Sequence, residues 1–240
     1  MPIHIHPTAA LAPRALLPGD PGRALALAQK LTSDPRMFNH NRGLWGYTGT
    51  AADGEPLTIQ STGMGGPSAA IVLEELCELG LRQAIRLGTC GALDPALALG
   101  DLVIADSALA RDGASRALGA GDRVHADGAL VESLRAAAGD GGARLGAIVS
   151  SDLFYDPDPD GARARAWARE GALAIEMEAA TLLRVGELRG ASIACLLAVT
   201  DVFDAAGARR RLDGDGLARS GERLGEVGAA ALLGLRSAPE

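Results

Sequence analysis

The chain contains little cysteine and no long apolar run. Its three cysteines, Cys77, Cys90 and Cys195, are widely spaced and include no C-x-x-C pair. This pattern excludes a disulfide framework and fits a reducing compartment, so we expect a cytoplasmic protein. The longest apolar runs, residues 193–199 and 227–235, are shorter than the ~20 residues that span a bilayer. We therefore expect no membrane partner.

A surplus of positive charge is also missing. The chain has 23 Lys and Arg residues against 30 Asp and Glu residues, which gives a net charge of -7. Nucleic-acid binding needs a basic face that neutralises phosphates, so this class of function is excluded. The N-terminus is interrupted by Pro7, Pro13 and Arg14 and does not have the pattern of a signal peptide. His4 and His6 are too few ligands for a metal site, so no metal is expected.

The apolar segments predict an α/β fold in one domain covering residues 1–240. The strand candidates are residues 15–17, 57–60, 84–87, 102–105, 145–149, 174–176 and 192–199, and the helix candidates are residues 21–31, 67–79, 127–138, 161–169, 177–187 and 216–235. Strands that alternate with helices indicate a layered sheet flanked by helices. Residues 110–122, rich in Gly, Arg and Asp, are expected to form a surface loop.

The segment RLGTCG, residues 86–91, predicts a site for a small anion. We interpret it as a glycine-opened turn after an apolar strand, with a guanidinium on Arg86 and a hydroxyl on Thr89. Gly88 and Gly91 would let the backbone approach a ligand or take a positive φ. The alternative is an arginine that is solvated or held in a salt bridge, which is the commoner environment of this side chain.

Two further segments place glycine between a strand and a helix. In PGDPGR, residues 18–23, Asp20 suits the N-cap of a helix and Pro21 its first position. The Gly19 amide, the helix N-terminus and the Arg23 guanidinium would together favour a phosphate, and an ordinary strand–turn–helix corner is the alternative. The segment STGMGGPS, residues 61–68, opens a second helix. Open α/β sheets bind ligands at the carboxyl ends of their strands, where all these turns are expected.

Two carboxylates follow apolar runs late in the chain. Glu178 lies where a strand passes into a helix, and from there it can accept two hydrogen bonds from a vicinal diol. Its alternative role is a carboxylate placed for the helix dipole. Asp201 ends the most apolar strand, a buried position that suits a general acid. Its alternative role is that of a turn-forming residue.

Seven segments, in this order along the chain, resemble the purine and uridine nucleoside phosphorylases whose subunits assemble as hexamers. They are PGDPGR (18–23), RG with YTGT (42–43 and 47–50), GMGGPS (63–68), RLGTCG (86–91), SDLFY (151–155), EME (176–178) and TD (200–201). The resemblance covers nearly the whole chain. It implies a central mixed, partly barrel-like β-sheet flanked by helices, and a transferase of purine salvage that uses no cofactor.

The same resemblance implies phosphorolysis. Inorganic phosphate, the co-substrate, attacks the anomeric carbon of a nucleoside and releases the free base and pentose 1-phosphate. The residues implied for phosphate are Gly19, Arg23, Arg86, Thr89 and, reaching in from a neighbouring subunit, Arg42. Those implied for the pentose are Glu176, Met177, Glu178 and, from the neighbour, His4. Phe154 and Tyr155 would line the base, and Asp201 would protonate purine N7. Sites shared in this way imply a homo-oligomer, a hexamer built as a trimer of dimers.

Purine is favoured over pyrimidine as the base. Uridine-specific relatives carry a Gln and an Arg, two residues apart, after the Phe-Tyr pair, whereas DPDPD stands at residues 156–160. Related nucleosidases, which use water, lack the phosphate arginines that this chain keeps as Arg23 and Arg86. The alternatives are a uridine or methylthioadenosine phosphorylase, or a non-catalytic nucleoside-binding protein on the same scaffold.

The chain departs from the family pattern near Asp201. Purine enzymes of this type place an arginine about a dozen residues beyond the catalytic Asp to help it donate its proton. Here the candidates for that arginine are Arg209, Arg210, Arg211 and Arg219. The sequence assigns none of them. Thr89 and Thr200 stand where serine is frequent in the family, and the change keeps the hydroxyl. His6 is an alternative to His4 as the residue that binds the pentose from the neighbouring subunit.

Overall fold

The computed structural model describes residues 2–158, 161–203 and 209–234. The strands in these ranges are β1 (Arg14–Pro18), β2 (Ser33–Asn39), β3 (Gly46–Thr50), β4 (Pro56–Gln60), β5 (Gln83–Ala92), β6 (Leu102–Ala110), β7 (Arg123–His125), β8 (Arg144–Ser150), β9 (Ala174–Glu176), β10 (Ser192–Phe203) and β11 (Arg209–Arg211). The helices are α1 (Pro21–Leu31), α2 (Gly66–Glu78), α3 (Gly113–Ala117), α4 (Gly128–Ala138), α5 (Ala162–Arg169), α6 (Ala179–Arg189) and α7 (Gly214–Gly234).

All of these strands belong to one mixed sheet. The order is β11-β10-β6-β8-β9-β5-β1-β4-β3-β2, with β7 paired to β6. An additional pairing joins β10 to β5, so β5, β10, β6, β8 and β9 form a closed ring of strands. The remaining strands extend from that ring as an open sheet. The prediction of a mixed, partly barrel-like sheet flanked by helices is therefore confirmed.

The sheet separates two apolar cores. Along β1, Ala15 and Leu17 pack into one core and Leu16 into the other, because successive side chains of a strand point to opposite faces. The first core lies under α2 and α6, which contact each other, and the second under α1, α4 and α7. Each fully buried Leu contributes roughly 1.5–3 kcal/mol to folding. Both faces of the sheet are covered in this way.

Parallel pairing brings the carboxyl ends of several strands together. β1 runs parallel to β4 and β5, and β10 runs parallel to β5. The turns that follow β1 and β4 touch, because the Thr62 amide donates to the Pro18 carbonyl over 2.9 Å and the Gly63 amide to the Gly19 carbonyl over 3.1 Å. This edge of the sheet carries the residues expected to bind a ligand.

Most predicted elements are present within a few residues of their expected bounds. The start of α1 is capped as expected: the carboxylate of Asp20 accepts from the amide of Arg23 over 2.6 Å, and Pro21 is the first helical residue. The candidate helix at residues 216–235 begins earlier, at Gly214, and residue 235 lies outside the described residues. Residues 159 and 160 of the DPDPD segment also lie outside them. Among the residues described, no helix is long and apolar enough to cross a membrane.

Two local predictions are wrong. RLGTCG is not a turn, because residues 86–91 lie inside β5, which continues to Ala92. Neither Gly88 nor Gly91 takes a positive φ. Residues 110–122 are not a surface loop either, since they contain α3 and the side chain of its N-cap, Asp112, is fully buried. β2, β3, β7 and β11 were not expected, and β10 continues past Asp201 to Phe203.

Candidate active site

Arg86 lies inside β5, and its guanidinium joins two carboxylates. Nε donates to Oε2 of Glu176 over 3.2 Å, and Nη2 donates to Oε2 of Glu178. Arg86 is only 4% exposed, so both contacts are shielded from water. Burial disfavours the charge on Arg86, but Glu178 and Glu176 more than offset it, so the pKa of the guanidinium is raised. Arg86 is therefore a permanent buried cation.

Other donors hold the two carboxylates in place around Arg86. The Gly65 amide, just before α2, donates to Oε1 of Glu178 over 2.5 Å. Glu176 accepts from the Glu178 amide over 2.9 Å and from the Ser150 hydroxyl over 2.5 Å. Burial raises the pKa of Glu176; the positive charge of Arg86 opposes this rise and the negative charge of Glu178 reinforces it. The short link between β9 and α6 thus places both carboxylates on one guanidinium.

One nitrogen of Arg86 is left without a partner. Nη1 is buried and donates to no acceptor in the described part of the chain. It lies beside Gly19, where an added Cβ would be 4.0 Å away. Gly88 gives the guanidinium its space, because a Cβ there would lie 3.1 Å from Nη2 and 2.7 Å from Cδ2 of Leu197. A buried unpaired donor is rare, and a guanidinium pairs best with the oxygens of an anion.

A second guanidinium, that of Arg23, lies close to the first. Arg23 is in the first turn of α1, and its Nη1 donates to the Leu87 carbonyl over 3.4 Å. Burial lowers the pKa of Arg23; Asp20 acts in the opposite sense, and the positive charge of Arg86 lowers the pKa further. Two cations that repel each other beside a helix N-terminus favour an anion between them. The structure therefore brings Gly19, Arg23 and Arg86 together.

Three other residues expected to bind phosphate or pentose, Thr89, Met177 and Arg42, are half-buried or exposed. Thr89 is half-buried in β5, opposite Ala198 of β10, and Met177 is half-buried between the two carboxylates. Arg42 is exposed, in a short turn at Asn41–Gly43, with φ 56. Arg42 therefore lies on the surface of its own chain, whereas Arg86 is buried.

Asp201 is buried and held by three side chains. The Thr200 hydroxyl donates to Oδ2 over 2.8 Å, Arg209 Nε donates to Oδ1 over 2.7 Å, and Arg211 Nη1 reaches both oxygens at 3.2 Å. Asp201 is 5% exposed. It pairs with Arg211 across the antiparallel strands β10 and β11. The partners that the sequence left unassigned are therefore Arg209 and Arg211, whereas Arg210 and Arg219 make no such contact.

The aromatic pair is linked to Asp201 through Arg209. The guanidinium carbon of Arg209 lies over the Phe154 ring, 4.7 Å from its centre. The Phe154 and Tyr155 rings meet edge to face with centres 5.0 Å apart. Phe154 is 50% exposed and Tyr155 is 83% exposed, so both rings are open to a ligand. Arg209 thus connects the aromatic pair with the carboxylate.

His4 is not near Glu178 of its own chain. Its Nδ1 lies 2.7 Å from the carboxylate of Glu75, which also accepts from the backbone amides of residues 3 to 5 at 2.7–3.1 Å. Gly65, whose amide binds Glu178, precedes Glu75 by ten residues. Ten residues span about 15 Å along a helix, so Glu75 and His4 are far from Glu178. His6 Nε2 lies 2.9 Å from the Ile3 carbonyl, so neither histidine reaches the carboxylates within one chain.

The cysteines take no part in this arrangement. Cys90 and Cys195 are buried, and burial raises the pKa of both thiols. Burial also raises the pKa of Cys77 to about 11. Thiols with a raised pKa stay protonated and are poor nucleophiles. The described residues contain no group of three His, Cys, Asp or Glu side chains that could hold a metal ion.

Several contacts of the site were not expected from the sequence. The Gly65 amide, the Ser150 hydroxyl and the Thr200 hydroxyl each bind one of the carboxylates. Gly65 and Thr200 lie inside the motifs at residues 63–68 and 200–201. These motifs identify the segments that form the site, but they do not show that the two residues bind Glu178 and Asp201. Arg209 and Arg211 were candidates, but only the pairing of β11 with β10 shows which arginines face Asp201.

Comparison with known proteins gives one consistent result. Residues 13–233 match the model of the family described as the phosphorylase superfamily. The chain is 37% identical over 197 residues to a DeoD-type purine nucleoside phosphorylase of Clostridium novyi, covering 80% of this chain and 83% of the relative. It is 38% identical over 210 residues to that of Clostridium beijerinckii, covering 85% and 87%. For the enzyme of Geobacillus kaustophilus the values are 36% over 208 residues, 84% and 86%.

Proposed function

The chain belongs to the phosphorylase superfamily, and on this premise we propose that it is a purine nucleoside phosphorylase. It would convert a purine ribonucleoside or deoxyribonucleoside and phosphate, reversibly, into the free base and pentose 1-phosphate. The observation that carries the proposal is the buried Arg86 guanidinium, whose Nη1 has no partner in the described residues and lies beside Gly19.

Phosphate is held between the two guanidinium groups in this proposal. Arg86 Nη1 and Arg23 donate to its oxygens, the Gly19 amide and the N-terminus of α1 add to the positive field, and the Thr89 hydroxyl supplies a further donor. Guanidinium forks match the geometry of phosphate oxygens better than a lysine would. Phosphate is the co-substrate, and the proposal includes no cofactor.

The pentose lies between phosphate and the base. Glu178 accepts hydrogen bonds from the vicinal hydroxyls, with Met177 against the sugar ring and Glu176 fixing the Glu178 backbone through its amide. Glu178 then shares its oxygens between the hydroxyls and Arg86. This shared guanidinium would fix the distance between the nucleophile and the anomeric carbon, which is how positioning lowers a barrier.

The reaction separates charge, and the residues of the site match that separation. A phosphate oxygen forms a bond to the anomeric carbon while the bond from that carbon to N9 breaks, and the base takes the bonding electrons. Positive charge on the sugar is stabilised by phosphate and Glu178. Negative charge on the base is neutralised by a proton that Asp201 gives to N7. These interactions are strongest in the transition state, as catalysis requires.

A second copy of the chain completes the site in this proposal. His4 lies at Glu75, remote from Glu178 of its own chain, and Arg42 is exposed in the turn at Asn41–Gly43. Both would act in a neighbour's site within a homo-oligomer, a hexamer built as a trimer of dimers. Ile3, Met64 and Ile71 are exposed apolar side chains near these elements, 40% to 86% exposed, and they suit an interface between copies. We propose that the enzyme is cytoplasmic and that residues 1–240 form one domain.

A substrate panel tests the proposed function. Inosine, guanosine, adenosine, methylthioadenosine and uridine are each incubated with and without phosphate, and base release is followed. We expect release from purine nucleosides only when phosphate is present. Phosphate-dependent release from only uridine, or from only methylthioadenosine, would show that the protein is the corresponding alternative phosphorylase. Tight nucleoside binding without release from any substrate would indicate a binding protein.

A further inference from the structure

Arg209 contacts the two groups that a purine base would use. Its guanidinium lies over the Phe154 ring at 4.7 Å, and its Nε donates to Oδ1 of Asp201 over 2.7 Å. A purine would stack on an aromatic ring of this site and place N7 at the Asp201 carboxyl. Flat guanidinium groups stack on aromatic faces much as a base does. The side chain therefore stands where part of the base is expected.

We propose that Arg209 occupies the base subsite of the unliganded protein and is displaced when a purine binds. This inference rests on the proposed function, because it takes Phe154 and Asp201 as base-binding residues. It assigns Arg209 a positioning role that limits the apparent affinity for nucleosides. When a ligand must displace a bound group, its apparent affinity is reduced to the fraction of protein in which that group is already out of the site.

The position of Arg209 makes this displacement easy. It lies in β11, which spans only three residues and is an edge strand of the sheet. Its side chain is 34% exposed, so its contact with Asp201 is partly hydrated. Ion pairs at such exposure are weak, and so are exposed cation–π contacts. A base that buries the Phe154 ring can replace both contacts.

Arg211 has a different role because of its different geometry. Its Nη1 contacts both oxygens of Asp201 at 3.2 Å, and the cation–π contact with Phe154 belongs to Arg209 and not to Arg211. Arg211 is more exposed than Arg209, at 46% against 34%, but it does not stand over the Phe154 ring where the base is expected. It would therefore keep Asp201 oriented after Arg209 has left. Displacement of Arg209 would thus open one side of the Asp201 carboxyl to N7 of the base.

The experiment compares Arg209→Met with Arg211→Met and with the matched control Arg210→Met. Arg210 lies between them in β11, is exposed, and points to the opposite face of the strand. For Arg209→Met we expect the KM for inosine and the Kd for hypoxanthine, measured by calorimetry, to fall about threefold to tenfold. For Arg211→Met we expect kcat to fall with KM nearly unchanged. Arg210→Met changes neither value.

Several results would overturn the inference. A higher or unchanged Kd for hypoxanthine in Arg209→Met would show that Arg209 binds the base or does not reach it, and so would a wild-type protein that does not bind hypoxanthine. Arg209→Lys, which keeps the charge without the flat fork, is expected between wild type and Arg209→Met. If the wild type binds hypoxanthine but does not release it from inosine, the proposed function fails. The comparison of hypoxanthine Kd values still decides the role of Arg209 in that case.

Discussion

The guanidinium of Arg86 and the carboxylate of Glu178 form a buried ion pair at the centre of the site. Arg86 is 4% exposed and Glu178 is 4% exposed. Water cannot replace either partner there, so each charge depends on the other. The same guanidinium leaves Nη1 unpaired in the described residues. Loss of either partner would therefore leave a buried unpaired charge, and the intact pair leaves one donor of Arg86 for a ligand.

Removing the Arg86 charge is expected to destabilise the protein. Arg86→Met leaves Glu178 and Glu176 buried without their cation, and breaking a buried pair in this way costs about 3–5 kcal/mol of unfolding free energy. Urea unfolding at neutral pH measures this. Arg82→Met, at an exposed arginine one residue before β5, is the control and is expected to stay within about 0.5 kcal/mol of wild type. Equal stability of the two variants would contradict the ion pair.

Gly88→Ala is expected to disturb phosphate binding through Arg86. The new Cβ would lie 2.7 Å from Leu197 Cδ2 and 3.1 Å from Arg86 Nη2, so the guanidinium or the core must shift. We expect a loss of about 1–3 kcal/mol in unfolding free energy and a rise of about tenfold to a hundredfold in the KM for phosphate. Gly128→Ala, where an added Cβ meets no atom within 4 Å, is the control. A KM for phosphate equal to that of the wild type in Gly88→Ala would argue that Arg86 does not bind phosphate.

Asp201→Asn is expected to slow base release from inosine by about 10²–10⁴-fold in kcat. The amide can donate a hydrogen bond but is not acidic enough to transfer a proton to N7 as the bond to N9 breaks. The loss should be much smaller for 7-methylinosine, whose base already carries positive charge and leaves without protonation. Asp215→Asn, at an exposed residue in the first turn of α7, is the control. Equal losses on the two nucleosides would argue against proton donation by Asp201.

Glu75 is expected to link the stability of the N-terminal segment to pH. Burial opposes its charge, but hydrogen bonds from the Ile5 amide, the His4 side chain and the amides of Ile3 and His4 lower the pKa of Glu75 from 4.5 to about 2. A carboxyl with a lower pKa in the folded protein stabilises it above the unfolded value of 4.5. That stability is lost as pH falls towards about 2.

The measurement is urea unfolding of wild type and Glu75→Gln between pH 6 and pH 2. At pH 6 the variant is expected to be less stable by about 1–2 kcal/mol, because hydrogen bonds to a charged group are lost. The difference should shrink as the pH falls through the window between 4.5 and 2. Glu55→Gln, at an exposed carboxylate, serves as the control. A difference that stays constant with pH would show that the Glu75 charge is not involved.

Elements with strong local signals were predictable from the sequence. The bounds of α1 match the prediction, because Asp20 and Pro21 fix its start through side-chain capping and a preset φ. Two glycines in six residues are typical of a turn, so the local pattern of RLGTCG predicts the wrong structure. In the structure Gly88 lies within a strand, where the lack of a side chain leaves room for Leu197 and Arg86. The local sequence does not show this, because Leu197 is far away along the chain.

The parts of the site that could not be predicted depend on pairing between distant segments. Arg209 and Arg211 lie in a run of three arginines with no apolar alternation, so nothing local indicates a strand. β11 exists because it pairs with β10 next to Asp201. The burial of Asp112 could not be predicted for a similar reason: it involves the Thr181 hydroxyl of α6, which donates to Asp112 over 2.7 Å.

The most direct test of the proposed function is the fate of the pentose. Inosine and inorganic phosphate are incubated with the wild-type protein, hypoxanthine is measured by absorbance, and the pentose product is measured by phosphorus NMR. We predict one pentose 1-phosphate for each hypoxanthine released, and no release when phosphate is left out. Free ribose as the product, or equal release without phosphate, would contradict an account in which Arg86 and Arg23 hold the attacking phosphate.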